Sequence, residues 1–343
     1  MPSNRIKPPV FFLLAGLLLF AGCRRQSEPA LPDVPDLVIF TSQEETVYAP
    51  IIKEYQERSG LNIQVTIGTF QELQHQIREN TLDEYCDVVF GTDAAVLECY
   101  QDFWEPHTSR SAANLTAGFT SAASRWTPFS VTSLVILYNT RVVTYRELPT
   151  DWSSLLEPRF KSRIAFMNPE MSDIYLTALS AAMYSTTQPS KYLADFAANL
   201  DYQTFHSLSA VTQAVTDGRC SVGVTPAETA EQLRRDGADV DYIFPAGASC
   251  ICLDGSAVVL GCRNPEAARD FVDFTVSSDV QHILVDRLNR RSVRGDVAPL
   301  PGLKPIIRLP EGTLLPAQTK YKTAALTGWR QISEEHRRED ERG

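Results

Sequence analysis

Residues 37–67 read LVIFTSQEETVYAPIIKEYQERSGLNIQVTI, and the pattern of this stretch decides the fold class. Leu37–Thr41 is an unbroken apolar run of strand length. Glu45–Arg58 then places Val47, Ile51 and Tyr55 on one helical face before Gly60 closes the helix. Asn62–Ile67 alternates apolar and polar side chains as a strand does. A strand apolar along its whole length is buried on both faces, so this strand–helix–strand unit calls for a parallel sheet covered by helices.

Working outward, the alternation continues. Phe70–Asn80 carries Leu73 and Ile77 at helical spacing, Asp87–Phe90 is a short buried strand, Thr92–Tyr100 a helix and Val131–Tyr138 a long strand. Trp152–Leu156 reads as a short helix, Ile164–Met167 as a strand, and Ser172–Tyr184 and Ser190–Leu200 as helices. Tyr202–His206 and Ser221–Val224 read as strands, each followed by a helix ending on glycine, at Gly218 and Gly237. Val240–Phe244 and Ser256–Leu260 are further strands, and Asn264-Pro265 opens a final pair of helices with proline at the first helical position. The fold class is α/β, with parallel sheets between helical layers.

The chain has 343 residues, 43% of them hydrophobic and 22% charged, enough for about two domains with full cores. A net charge of −10 argues against generic nucleic-acid binding. The densest basic cluster, Arg287, Arg290, Arg291 and Arg294, is short and lies in a mixed segment. Arg290 and Arg291 could reach a ligand cleft, but the blander reading, a solvated helix end, ranks first.

Arg5 and Lys7 precede an uncharged apolar run, Pro9 to Gly22, too short to span a bilayer comfortably. It ends in Phe20-Ala21-Gly22-Cys23, followed by Arg24 and Arg25. This resembles a bacterial lipoprotein lipobox, departing from the pattern at Phe20, where leucine is usual. The resemblance implies a signal peptide over residues 1–22, acylation (palmitate among the chains) at Cys23, and a lipid-anchored linker over residues 23–35. It places the protein in the periplasm or on the extracytoplasmic face, held at the membrane. The remaining cysteines, Cys86, Cys99, Cys220, Cys250, Cys252 and Cys262, suffice for three disulfides; the alternative is that several are buried free thiols.

In open α/β sheets, ligands bind where strands end and helices begin. Five such junctions carry hydroxyls: Thr41-Ser42, Thr92, Ser172, Ser207 or Ser209, and Thr225. Each taken singly is a good helix cap, and Thr225-Pro226-Ala227-Glu228 has capping-box spacing, which reads Glu228 as a cap partner. The templates for nucleophilic hydrolysis, phosphate loops and dinucleotide binding are absent, and the five histidines stand far apart without ligand spacing. Glu44-Glu45 begins a helix, where carboxylates suit the dipole. No catalytic residue, cofactor or metal site is expected.

The ordered segments LVIFTSQEE (37–45), YCDVVFGTDAAVLECYQDFWEP (85–106), RWTPFSVTSLVILYNT (125–140) and LPTDWSSLLEPRFKSRIAFMNPEMSD (148–173) resemble bacterial extracellular solute-binding proteins of ABC importers. DGRCSVGVTPAETAEQLRRDGADVDYIFP (217–245), LDGSAVVLGCRNPEAARDFVDFTVSSDVQ (253–281) and RRSVRGDV (290–297) continue the likeness. It is similar to the branch with ferric-ion, thiamine and phosphonate or sugar-phosphate binders. The resemblance implies a type II periplasmic-binding-protein fold, two α/β lobes joined by crossing strands within Phe129–Tyr138 and Gly255–Leu260. Residues 36–128 and 255–300 would form one lobe, residues 129–254 the other, and residues 301–343 a C-terminal tail without a firm place.

It further implies a monomer that captures a small-molecule solute between its lobes and hands it to a permease with its ATPase. Ferric binders of this branch carry neighbouring tyrosines where this chain has Thr225-Pro226-Ala227-Glu228, which disfavours iron. A phosphorylated or phosphonate organic anion ranks first, held by the hydroxyls of Ser42, Thr92, Thr127, Ser172, Ser209 and Thr225, with Asp93 and Tyr175 as specificity contacts. A thiamine-type cation, served by Asp93, Asp173, Trp126 and Tyr175, is the alternative. A non-transport sensor and an enzyme with an unrecognised site are the remaining readings.

Overall fold

The computed structural model describes residues 34–119, 121, 123–246, 250–303 and 317–342. The expected signal peptide, Cys23 and most of the expected linker lie outside the described residues.

The chain begins β1 (Leu37–Thr41), α1 (Glu45–Ser59), β2 (Ile63–Ile67), α2 (Phe70–Glu79), α3 (Leu82–Tyr85), β3 (Val88–Asp93) and α4 (Ala94–Cys99). The long strand β4 (Thr127–Asn139) leads to β5 (Ile164–Ala165), α5 (Asp173–Tyr184), α6 (Pro189–Asn199) and α7 (Leu208–Thr216). Then come β6 (Val222–Pro226), α8 (Ala227–Arg235), β7 (Val240–Ile243) and β8 (Ile251–Val258). The last elements are α9 (Pro265–Thr275), α10 (Ser278–Asp286), β9 (Arg291–Ser292) and α11 (Ala317–Asp340).

Among the described residues the strands follow the path β2-β1-β3-β8-β4-β6-β5, with β7 and β9 also on β4. The pairs of β1 with β2 and β3, and of β5 with β6, are parallel as the sequence pattern requires. The sheet is nevertheless mixed, because β8 runs antiparallel to β3 and β4. The reason is that β4 and β8 are not crossover strands of one parallel sheet but long connections between two packing units. The first half of β4 pairs with β8 and β9, and its second half with β6 and β7.

The buried side chains accordingly form two clusters. One gathers Leu37–Phe40, Val88–Phe90, Phe129, Val131, Leu253, Ala257 and the apolar faces of α1, α9 and α10. Phe90 sits at its centre, edge-on to Phe129 at 4.6 Å and to Phe271 at 5.3 Å. The other gathers Leu134–Leu137, Phe166, Val222, Val224, α5, α6 and α7. There Phe166 meets Tyr175 and Phe196 edge-on, each at 5.2 Å. Leu326 and Trp329 of α11 belong to this second core, so part of the C-terminal tail is an integral helix.

One expected strand is absent, and of the two readings of the cysteines one holds. Tyr202–His206 forms no strand, only an isolated bridge from Phe205 to Met167, because Asp201 and Tyr202 both adopt left-handed backbone angles that break extension. The six cysteines of the described residues are all free thiols, five of them buried.

Candidate functional site

Between the two cores lies a cleft. Ser42, Gln43, Glu44, Gly91 and Asp93 line it from the first core, and Ser172, Asp173, Ile174 and Thr177 from the second. Cys252, Asp254 and Arg290 complete it beside the connecting strands. The cavity is about 60 Å³, room for a few water molecules.

Strand register assembles its charged centre. Asp93 of β3 pairs opposite Asp254 of β8, which pairs opposite Ser130 of β4. Residues directly opposite in an antiparallel pair share a face with their side chains close, and like charges there repel. Three polar partners hold Asp254: Ser130 Oγ donates at 3.0 Å, Gln43 Nε2 donates at 3.3 Å, and the Arg290 guanidinium lies 3.7 Å away. Burial pushes the Asp254 carboxyl up to about 6; Arg290 opposes the shift and Asp93 reinforces it.

Asp93 caps α4, its Oδ1 accepting from the Ala95 N–H at 2.8 Å, while its other oxygen pairs with the Lys322 ammonium. Asp173, the first residue of α5, is half-buried, and its desolvation raises its carboxyl above the ordinary carboxylate value. Lys322, the Ser42 hydroxyl and the Phe70 backbone N–H oppose that shift. Ser42 and Phe70 belong to the first core's elements and Asp173 to the second's, so this carboxylate feels groups from both sides of the cleft.

The structure brings Ser42, Asp93 and Ser172 of the anticipated residues together in this cleft. Ser172 is the residue before α5 and makes no capping hydrogen bond, which leaves its hydroxyl available to the cleft. Thr92, Thr127 and Thr225 are buried strand residues outside its lining, and the Thr92 and Thr225 hydroxyls have no hydrogen-bond partner. Ser209 is exposed on α7, 3.1 Å from the Ser207 hydroxyl. Tyr175 is a core residue rather than a cleft contact: its hydroxyl donates to the Val224 carbonyl at 2.6 Å. Trp126 is likewise buried, its indole N–H donating to Glu98 at 2.7 Å.

Other readings are corrected. Glu228 is no capping partner, because Thr225 lies inside β6 and the carboxylate pairs with Arg291 in the interior. Arg290 and Arg291 are not a solvated helix end; Arg290 enters the cleft and donates to Thr132 Oγ1 at 3.2 Å. Sequence reasoning missed Gln43, Asp254 and Lys322, and placed Arg290 in the cleft only as its second reading. The signal available for Asp254 was a carboxylate between apolar runs in a segment of strand character; for Lys322 there was none.

The match to known proteins is broad. Residues 80–300, more than half of the chain, match a family model described as bacterial extracellular solute-binding protein. The major ferric iron-binding protein of Neisseria meningitidis serogroup A is 21% identical over 299 residues, 82% of this chain and 87% of that one. Among solved structures, iron-bound HitA from Pseudomonas aeruginosa superposes with a TM-score of 0.72 at 18% identity, over 86% of this chain and 98% of that one. AfuA from Actinobacillus pleuropneumoniae, with fructose-6-phosphate bound, gives 0.71 at 16% identity, over 87% and 98%.

Proposed function

The chain belongs to the bacterial extracellular solute-binding proteins, and from that premise we propose that its cleft captures a small solute bearing a positively charged, non-aromatic group and presents it to an ABC permease. The protein is a binding protein rather than an enzyme, with the type II periplasmic-binding-protein fold. Its lobes on this reading are residues 36–128 with 255–300, and residues 129–254, although Phe129, Val131 and Leu253 at the edges of the second segment pack in the first core. Cys23 is the proposed point of lipid attachment.

The charge balance of the cleft carries the reading. Glu44, Asp93, Asp173 and Asp254 line it; among the described residues the lining cation Arg290 is paired with Asp254, and Lys322, behind the lining, with Asp93. An added anion would meet surplus carboxylate, whereas a cation relieves it. No aromatic side chain lines the cleft among the described residues, which leaves a ring-shaped cation such as thiamine without a stacking platform. Ferric ion, the cargo named for the Neisseria relative, finds no group of three or more His, Cys, Asp or Glu arranged to hold a metal among the described residues.

A phosphorylated or phosphonate anion is the second reading, favoured by one observation. The Ser42 hydroxyl and the Phe70 N–H at the start of α2 both lower the Asp173 carboxyl against the effect of burial, and donors on that side of the cleft would equally suit an anionic ligand group.

Thermal-shift titration at pH 7.5 against 1,4-diaminobutane, ethanolamine, glucose-6-phosphate, thiamine and ferric citrate separates the readings. At 100 times its dissociation constant a ligand adds about 2.7 kcal/mol of stability. The expected result is stabilisation by an amine, abolished by Asp173→Asn and weakened by Ser42→Ala with Ser172→Ala. Stabilisation by the sugar phosphate alone replaces the first reading with the second.

A further inference from the structure

The helix α11 lies beyond residue 300, where the family match ends. It packs on α5 and α6 of the second core and on α4 of the first. From it Lys322 reaches the polar interior with only 4% of its side chain exposed. Its ammonium pairs with Asp93 and lies within electrostatic reach of Asp173 and Cys252. Those three residues line the cleft, and the two carboxylates come from opposite sides of it.

A buried ammonium is costly unless matched by charge, and a matched one is a permanent part of the local field. Lys322 neutralises one unit of the carboxylate charge that would otherwise face the solute. Arg290 does the same for Asp254 from another element. The cleft therefore presents a defined surplus rather than the full charge of four carboxylates.

We propose that Lys322, delivered by the C-terminal helix, is a specificity-determining residue that sets the charge of the solute the cleft accepts. The proposal rests on the cleft being the solute site, but not on which sign of solute the protein prefers. Replacing Lys322 by a neutral residue makes the cleft one unit more negative. At the distances of a shared cavity that change favours cations over anions by at least tenfold.

The test is calorimetric titration of the wild-type protein, Lys322→Met and Lys322→Gln with 1,4-diaminobutane and with inorganic phosphate, reading the ratio of the two association constants. Both neutral variants are expected to move the ratio toward the diamine by at least tenfold. Adding Asp93→Asn to Lys322→Met restores the charge count and is expected to return the ratio toward the wild-type value, a rescue that a purely structural lysine would not show. If the wild type prefers phosphate, the cationic-solute reading fails while this proposal still requires the neutral variants to lose phosphate affinity at least tenfold. A ratio unchanged within twofold in a folded variant, or absence of binding of either probe by all the proteins, overturns the assignment.

Discussion

Asp254 and Asp87 show how two buried carboxylates of one fold take opposite duties. Asp87 is fully buried and accepts from the backbone N–H groups of Val38 at 2.7 Å, Arg263 at 3.0 Å and Asn264 at 3.3 Å. It ties the start of β1 to the entry of α9, a structural task. Asp87→Ala orphans these donors and is expected to cost on the order of 3 kcal/mol, read as a lower urea midpoint at unchanged slope. Asp254 is held near the cleft with its carboxyl raised to about 6. Its unfolded value is about 3.9, so between about pH 4 and 6 the folded state binds the extra proton. Stability contributed by this group is therefore present at low pH and falls as pH rises through that window, by about 3 kcal/mol in all. Urea denaturation from pH 4 to 7 should show this slope, and Asp254→Asn should flatten it; an unaltered slope would assign it elsewhere. The same protonation removes a negative charge from the cleft, so affinity for a cationic solute should fall below pH 6.

Helix α11 is a charged helix that nevertheless builds part of a core. Its sequence is dense in charge, yet Trp329 is 4% exposed and joins the second core, while Tyr321 stacks on Tyr184 at 4.1 Å and His336 on Tyr202 at 3.8 Å. Trp329→Ala should cost roughly 3 kcal/mol, measured as equilibrium stability. Gly328 inside the helix would ordinarily gain about 1 kcal/mol on replacement by alanine. A Cβ there would lie 2.7 Å from Leu193 Cδ2, so Gly328→Ala should fail to stabilise, and an increase in melting temperature would show that α6 yields. This helix was not legible in the sequence because its buried face is a few residues wide and includes Thr319 and Lys322, which patterning assigns to solvent. By contrast β1 was legible to the residue, since five consecutive buried side chains leave no other pattern. Strand β8 was misplaced toward Ser256–Leu260 because Asp254, Gly255 and Ser256 interrupt its apolar run. Those polar residues are buried where the strand passes the cleft, so the local rule failed at a site with another duty. The hydroxyls at strand ends were visible, but only strand register and the fold's closure determine which of them face the cleft.

At the scale of the whole molecule, the two cores are coupled by few elements, and each coupling passes close to the cleft. Strands β4 and β8 run from one core into the other, and β9 pairs with β4 at Ser130 and Val131. Neighbouring side chains of β9 and the turn before it diverge: Arg291 pairs with Glu228 of α8, and Arg290 enters the cleft. The Lys322–Asp93 pair adds a polar fastening between α11 and β3. A solute gripped by both sides must stabilise the two cores together, because it shifts the population toward a form in which both contact it. Amide hydrogen exchange should then slow on saturation in Phe129–Val131 of one core and in Leu134–Leu137 and Val222–Val224 of the other. Protection confined to one core would mean that the solute sits on a single lobe and that closure is driven by the protein's own fastenings.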